Sequence, residues 1–413
     1  MLDTIPELLP DLAELYEDLH AHPELSFQEV RTAGLLADRL EALGYEVTRG
    51  VGGTGVVAVL ASGSGPTVLL RADIDALPVE ELTGLPYAST ARATGQDGRE
   101  VPVAHACGHD MHAAWMIGVA TVLVRHRDAW SGRVMIVLQP AEELGMGAAA
   151  MVDDGLYERF GTPDVALGQH VAPAPAGWVL HRSGPVMAGS DALKVTLHGR
   201  GGHGAAPHTT IDPIVMAAST VMKLQTVVSR TVEPTDVAVV TVGSLHAGTK
   251  ENIIPDRAEL HLSVRSFEEG VREKVHAAIE RIVHGEAQAA GATKDPEVDL
   301  LYGFPPLRND PATTATVAAA FLEHFGPERV VEGPLVPASE DFGQFATRGG
   351  FPSAFWFVGG ADADLWTKAL AAGTLSEDVP SNHSPYYAPI QQPTLSTGIE
   401  AMVTAAMCWL RPA

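Results

Sequence analysis

Short apolar runs that end in carboxylates or an imidazole constrain this chain most. VLLRADIDALP carries Asp73 and Asp75 just past its apolar stretch, VMIVLQPAEE carries Glu142 and Glu143, and VALGQHV carries His170. GVVAVLA, PTVLLRA, GRVMIVLQ (132–139) and DVALG (164–168) are the short runs found in strands buried on both faces. Helical spacing separates them: Leu35, Leu36, Leu40 and Leu43 within 28–43, stopped by Gly44, and an apolar helix over 110–126. The pattern predicts an α/β domain with a mixed sheet flanked by helices. In such a sheet, functional side chains collect beyond the carboxyl ends of the strands.

The middle of the chain changes character. ALKVTLHG is an alternating strand, 212–228 a helix, 236–245 and 257–267 strands, 267–290 a long helix and 296–303 a strand. The order βαββαβ predicts an inserted α+β ferredoxin-like module at about 188–302. The flanking parts, 1–187 and 303–413, read as one catalytic domain, the second part adding a helix near 311–325, a strand at 353–359 and a helix from about 393 to 410. At roughly 100–200 residues per domain, 413 residues accommodate this division.

Charge narrows the partners. A net charge of -24 disfavours phosphate backbones, so no nucleic-acid partner is expected. An anionic substrate then needs local positive groups. The N-terminus has no basic start or apolar run of signal-peptide length, and no stretch approaches a membrane span, so a soluble cytoplasmic protein is expected. Cys107 and Cys408 lie too far apart in this context to suggest a disulfide framework. Cys408 sits in an apolar C-terminal helix, whereas Cys107 sits in HACGHDMH with three histidines and an aspartate.

Thiolate, imidazole and carboxylate together suit a borderline divalent metal. Taken singly, His170 or His383 in a loop is more often not a ligand, and a Glu-Glu pair is more often a solvated surface. HACGHDMH is harder to attribute to packing, and the strand-end placement of all these groups favours a shared site. Asp75 is either a turn former or the carboxylate that orients a metal-binding histidine; the second role is the expectation.

Nine ordered stretches then carry a resemblance: HAHPELSFQE (20–29), RADIDALP (71–78), HACGHDMH (105–112), LQPAEE (138–143), GQHV (168–171), GRGGHGAAPHTTIDPI (199–214), ENIIPD (251–256), SEDF (339–342) and NHSPYY (382–387). The chain resembles, nearly end to end, the aminoacylase, hippurate hydrolase and indoleacetyl-amino-acid hydrolase family of co-catalytic metallo-amidohydrolases. The resemblance implies a zinc-exopeptidase-like catalytic domain and two divalent ions per subunit, Zn, Mn or Co. Cys107, His109, Glu143, His170 and His383 fall on the ligand positions, with Cys107 as the bridge. Glu142 falls on the general base and Asp75 on the carboxylate supporting the metal site. The middle module is similar to the family's lid and dimerisation domain, implying a homodimer. His203 falls on a lid histidine that reaches a neighbouring subunit's site, and Asn252 and Arg265 on substrate-binding positions. The implied activity is hydrolysis of N-acyl amino acids, small-molecule substrates, to a carboxylic acid and a free amino acid. A dipeptidase or carboxypeptidase, a dedicated deacetylase of the N-acetyl-diaminopimelate type, and a catalytically silent metal-binding protein remain open at this point.

Overall fold

A computed structural model describes residues 1–410; the last three residues of the expected 303–413 segment lie outside it. The chain divides into two compact units. One comprises Met1–Gly184, Arg308–Pro334 and Asp341–Ala413; the other comprises Pro185–Leu307 and Leu335–Glu340.

The first unit is built on an eight-stranded mixed sheet. Its spatial order is Glu46–Val51, Gly55–Ser62, Gly132–Gln139, Thr67–Asp73, Val165–Pro175, Ser353–Ala361, Val179–His181 and Val330–Glu332. The four central strands, from Gly132–Gln139 to Ser353–Ala361, run parallel, so their carboxyl ends share one edge. The apolar runs lack alternation because both faces are covered. Val68, Leu70 and Ala72 enter the large helix-packed core, while Leu69 and Arg71, on the opposite face, are also buried.

Helices Ile5–Ala21, His109–Arg125 and Gln391–Leu410 pack together in that core. The first was not anticipated from the sequence. Close approach fixes the packing: a Cβ on Gly398 would lie 2.1 Å from the Trp115 ring, whose Nε1–H donates to the Thr394 carbonyl at 2.9 Å. Among the described residues, no helix is long and apolar enough to cross a membrane.

The second unit has a four-stranded antiparallel sheet in the order Ala238–Ala247, Arg257–Ser266, Gly189–His198 and Glu297–Phe304. With helices Pro213–Thr226 and Glu269–Ala289 this is a βαββαβ arrangement. Ala258, Leu260, Leu262 and Val264 alternate into its core against the helices, which explains the period-2 pattern of RAELHLSVRS.

Candidate metal centre

The parallel edge of the first sheet gathers the expected residues. Strand Thr67–Asp73 ends on Asp73, and Ile74 N–H still bonds Gln139 O at 3.0 Å, so Asp75 emerges at a fixed height. Strand Gly132–Gln139 ends in the turn Pro140–Glu143, where Ala141 adopts φ 48° and a short 3-10 turn presents Glu142 and Glu143. Gly108, at φ 83°, caps the helix that begins at His109; a Cβ there would meet Val171 Cγ1 at 2.4 Å. That left-handed turn lets Cys107 and His109 face one site.

His170 does not lie past a strand end as expected. It is inside Val165–Pro175, paired with Phe357 of the neighbouring strand. Pairing with Thr67–Asp73 stops at Arg71↔Gly168, whereas pairing with Ser353–Ala361 carries the strand onward. His170 is therefore beyond the shorter neighbour's pairing but within its own strand. The His383 loop is pinned to the Cys107 loop: His383 N–H bonds Ala106 O at 2.7 Å, and Asn382 Nδ2 donates to Cys107 O at 3.1 Å.

The five expected ligands fall into two groups, Cys107 with His170 and His109 with Glu143 and His383, joined where ligand atoms of Cys107, His109 and Glu143 lie within 4.8 Å of one another. Cys107 Sγ lies 3.4 Å from His170 Nε2. His109 Nε2 lies 3.8 Å from Glu143 Oε1 and 3.9 Å from Glu142 Oε2. His383 Nε2 lies 3.4 Å from Glu143 Oε2. The ring orientations agree: His109 Nδ1 donates to Asp75 O at 2.9 Å and His170 Nδ1 donates to Val171 O at 2.7 Å, leaving Nε2 of each toward the cluster. Asp75 sits where an orienting carboxylate is expected, with Oδ1 3.2 Å from His109 Nδ1 and Oδ2 accepting from Glu143 N–H at 3.1 Å and Ser26 Oγ at 2.7 Å.

The residues fit a metal. His109 Nε2 and Glu143 Oε1 are buried without a hydrogen-bond partner, and with Cys107 Sγ they lie within 4.8 Å of one another. Ligand atoms about 2.0–2.3 Å from one ion are separated by roughly 3–4 Å, close to the separations here. Electrostatics point the same way. Burial, then the Glu143 and Glu142 carboxylates, push the Cys107 thiol well up. Burial, reinforced by Asp75 and Asp73 against the pull of His109, pushes Glu143 up to about 8. Burial opposes charge on His109, yet Asp73 and Asp75 hold it up to about 10. Such crowded acceptors want a cation, and a bound divalent ion removes the barrier to a thiolate.

Sequence reasoning gave no role to several supporting groups. Asp73, His109, His112 and His170 also lie close enough to suggest ligands. His112 is already occupied, however. Its Nδ1 donates to Asp73 and its Nε2 accepts from Val171 N–H at 2.8 Å. Arg71 donates to Asp73 Oδ2 at 2.7 Å and to Gln139 Oε1 at 2.8 Å, and Gln139 donates to Asp341 Oδ1 at 2.6 Å. The visible clue was the excess of histidine and aspartate in HACGHDMH and RADIDALP beyond what a metal site needs.

His203, Asn252 and Arg265 belong to the second unit. His203 pairs with Ile253, and Gly204 N–H bonds Asn252 O at 2.9 Å, so His203 and Asn252 share one exposed corner. Ala205 N–H donates to His203 Nδ1 at 3.0 Å, which leaves the ring proton on Nε2. Arg265 donates from one nitrogen to Pro337 O at 3.0 Å and Ser339 Oγ at 2.9 Å.

Known proteins are similar to this chain. Residues 69–369 match the sequence model of Peptidase family M20/M25/M40. The chain is 37% identical over 371 residues to thermostable carboxypeptidase 1 of Saccharolobus solfataricus, covering 87% of this chain and 90% of that one. It is 38% identical over 353 residues to hippurate hydrolase of Campylobacter jejuni, covering 83% and 88%. The solved structure of a dinuclear metal-binding M20 peptidase from Bacillus subtilis superposes with a TM-score of 0.77 at 30% identity, over 97% of this chain and 99% of that one. With strand-end carboxylates, a cysteine-histidine turn and these similarities in agreement, the chain belongs to peptidase family M20/M25/M40.

Proposed function

We propose that this hydrolase cleaves the amide bond of N-acyl amino acids, giving a carboxylic acid and a free amino acid. The carrying observation is the turn that places Glu142 beside Glu143, next to Cys107 and the unpartnered His109 Nε2. The similarity to hippurate hydrolase supports the substrate class. Cys107, His109, Glu143, His170 and His383 would hold two divalent ions, Zn, Mn or Co, with Cys107 shared between them. Such ions lower the pKa of a water and polarise the amide carbonyl.

The protein's own steps are proton transfers and positioning. Glu142 takes one proton from the attacking water as its oxygen bonds to the carbonyl carbon. When the C–N bond breaks, Glu142 returns that proton to the leaving amine, and the acyl part leaves as a carboxylic acid. His203, with its proton on Nε2, is assigned as donor to the carbonyl oxygen, and Asn252 and Arg265 as holders of the α-carboxylate. These cationic and donor groups answer the charge problem posed by a net -24. The second unit is assigned as lid and dimerisation domain; exposed Ile214, Val215, Met222, Val239 and Leu245 give it apolar surface for a second copy.

A carboxypeptidase reading has the named similarity to thermostable carboxypeptidase 1 in its favour. Both reactions cut an amide beside a free carboxylate, and the acyl side separates them. Purified protein assayed with added Mn, Co or Zn should release amino acid faster from N-acetylmethionine or hippurate than from dipeptides or longer peptides, and chelator should abolish release. Faster turnover of peptides would shift the assignment to carboxypeptidase. Glu142→Ala should retain fold and metal while turnover falls at least about 100-fold, the lower end of the roughly 10²–10⁴-fold range for general acid-base groups. Near-normal hydrolysis by that variant sinks the base assignment.

A further inference from the structure

Residues 20–29 contain none of the proposed metal ligands, yet side chains of this one segment touch three turns of the site. His20 Nδ1 donates to Asp110 Oδ2 at 2.6 Å and its Nε2 lies 2.9 Å from Glu81 Oε1, so it holds the residue next to His109. Ser26 Oγ donates to Asp75 Oδ2 at 2.7 Å. Glu29, fully buried, accepts from Ala141 N–H at 2.9 Å and from the Thr54 hydroxyl. The main chain joins in: Ala76 N–H bonds Glu24 O at 2.8 Å.

Glu29 has the most consequential partner. Ala141 sits at φ 48°, ψ 41°, a left-handed conformation that residues with a Cβ avoid. It immediately precedes Glu142 and Glu143. A buried carboxylate is costly to desolvate unless its hydrogen bonds are satisfied. Here those bonds go to the amide of the left-handed residue and to Thr54, which lies between the first two strands of the sheet. On its carbonyl side Ala141 accepts from Met146 N–H at 3.3 Å and Gly147 N–H at 3.2 Å, so Glu29 supplies the side-chain contact on its amide side.

We propose that residues 20–29 act as a clamp on the catalytic turns, with Glu29 as a positioning residue that holds Ala141 left-handed and so aims Glu142 and Glu143. The proposal rests on the roles given to those two glutamates above. Glu29 touches neither substrate nor metal; it acts through the turn. Loss of a group that supports a metal ligand typically reduces metal affinity or activity about 10–100-fold.

The test uses the purified, metal-loaded full chain and reads kcat, KM, metal Kd by chelator competition, and thermal midpoint. Glu29→Ala should weaken metal binding and lower kcat, each by about 10–100-fold, with KM changed less than about twofold. Glu29→Gln keeps an acceptor for Ala141 N–H and should lie closer to wild type. Adding Ala141→Gly to Glu29→Ala should restore kcat several-fold without restoring the thermal midpoint, because glycine adopts the left-handed turn unaided. A purely structural Glu29 would lower the midpoint while leaving kcat and metal Kd within about twofold, and that result overturns the proposal. Absence of any recovery on adding Ala141→Gly overturns it as well. If Glu29→Ala fails to fold, Glu29→Asp, whose carboxylate is one methylene too short to reach Ala141 N–H, makes the same comparison with and without Ala141→Gly. Glu142→Ala run alongside keeps the two assignments apart: its near-normal turnover removes the general base, while the Glu29 clamp is still decided by metal Kd.

Discussion

Asp75→Asn puts an amide donor in place of one oxygen of a buried carboxylate whose two oxygens are both hydrogen-bonded. Asp75 Oδ2 accepts from Ser26 Oγ at 2.7 Å and Glu143 N–H at 3.1 Å, and Oδ1 from His109 Nδ1 at 3.2 Å. The amide nitrogen therefore has no good place. Toward His109 it opposes a ring N–H, and toward Ser26 and Glu143 it opposes a main-chain N–H. A hydrogen bond to a charged group contributes about 1.5–3 kcal/mol. The loss should be near that of one such bond, because His109 Nδ1 also donates to the Asp75 main-chain carbonyl at 2.9 Å, which the substitution leaves in place. About 1.5–3 kcal/mol corresponds to roughly a 10–100-fold weaker metal site. Competition with a chromogenic chelator measures that Kd directly, and turnover at saturating metal measures what misplacing His109 and Glu143 does to the chemistry. An Asp75→Asn protein whose metal Kd and kcat both stay within about twofold of wild type would refute the orienting role and the reasoning from these distances.

Two further predictions concern stability. His20 is held up to about 10 from its ordinary 6.5: burial opposes the charge, but Asp110 and Glu81 outweigh it. A raised folded-state pKa stabilises fully below about pH 6.5 and the contribution is lost as pH rises through about 10. Urea midpoints of wild type should thus fall across that window more steeply than those of His20→Gln, and parallel slopes would refute the charged pairing. Gly398→Ala should destabilise by at least about 2 kcal/mol despite alanine's better helix propensity, since the new Cβ meets the Trp115 ring at 2.1 Å; a thermal midpoint equal to wild type would show that the helices shift apart freely.

The α/β class, the βαββαβ module and most of the strands were legible because hydrophobic period reports burial, and burial here is simple. Strands covered on both faces read as unbroken apolar runs, and the second sheet, packed on one face, alternates. The proposed ligands were legible as residue types too, since Cys107, His109, Glu143, His170 and His383 stand in unusual company or follow apolar runs. Tertiary structure decided the rest. Strand length depends on the partner: His170 lies inside its strand because the Ser353–Ala361 neighbour extends pairing past the point where the Thr67–Asp73 neighbour stops. His109 and His112 look equivalent in HACGHDMH, but Asp73 and Val171 occupy both nitrogens of His112 and leave His109 Nε2 without a partner. HAHPELSFQE likewise carries no local sign of which turns it holds. Residue type and spacing specify which chemistry a segment offers, but hydrogen-bond satisfaction is a property of neighbours brought together from distant parts of the chain. Only folding determines which donors and acceptors are already used and which remain for a metal or a proton.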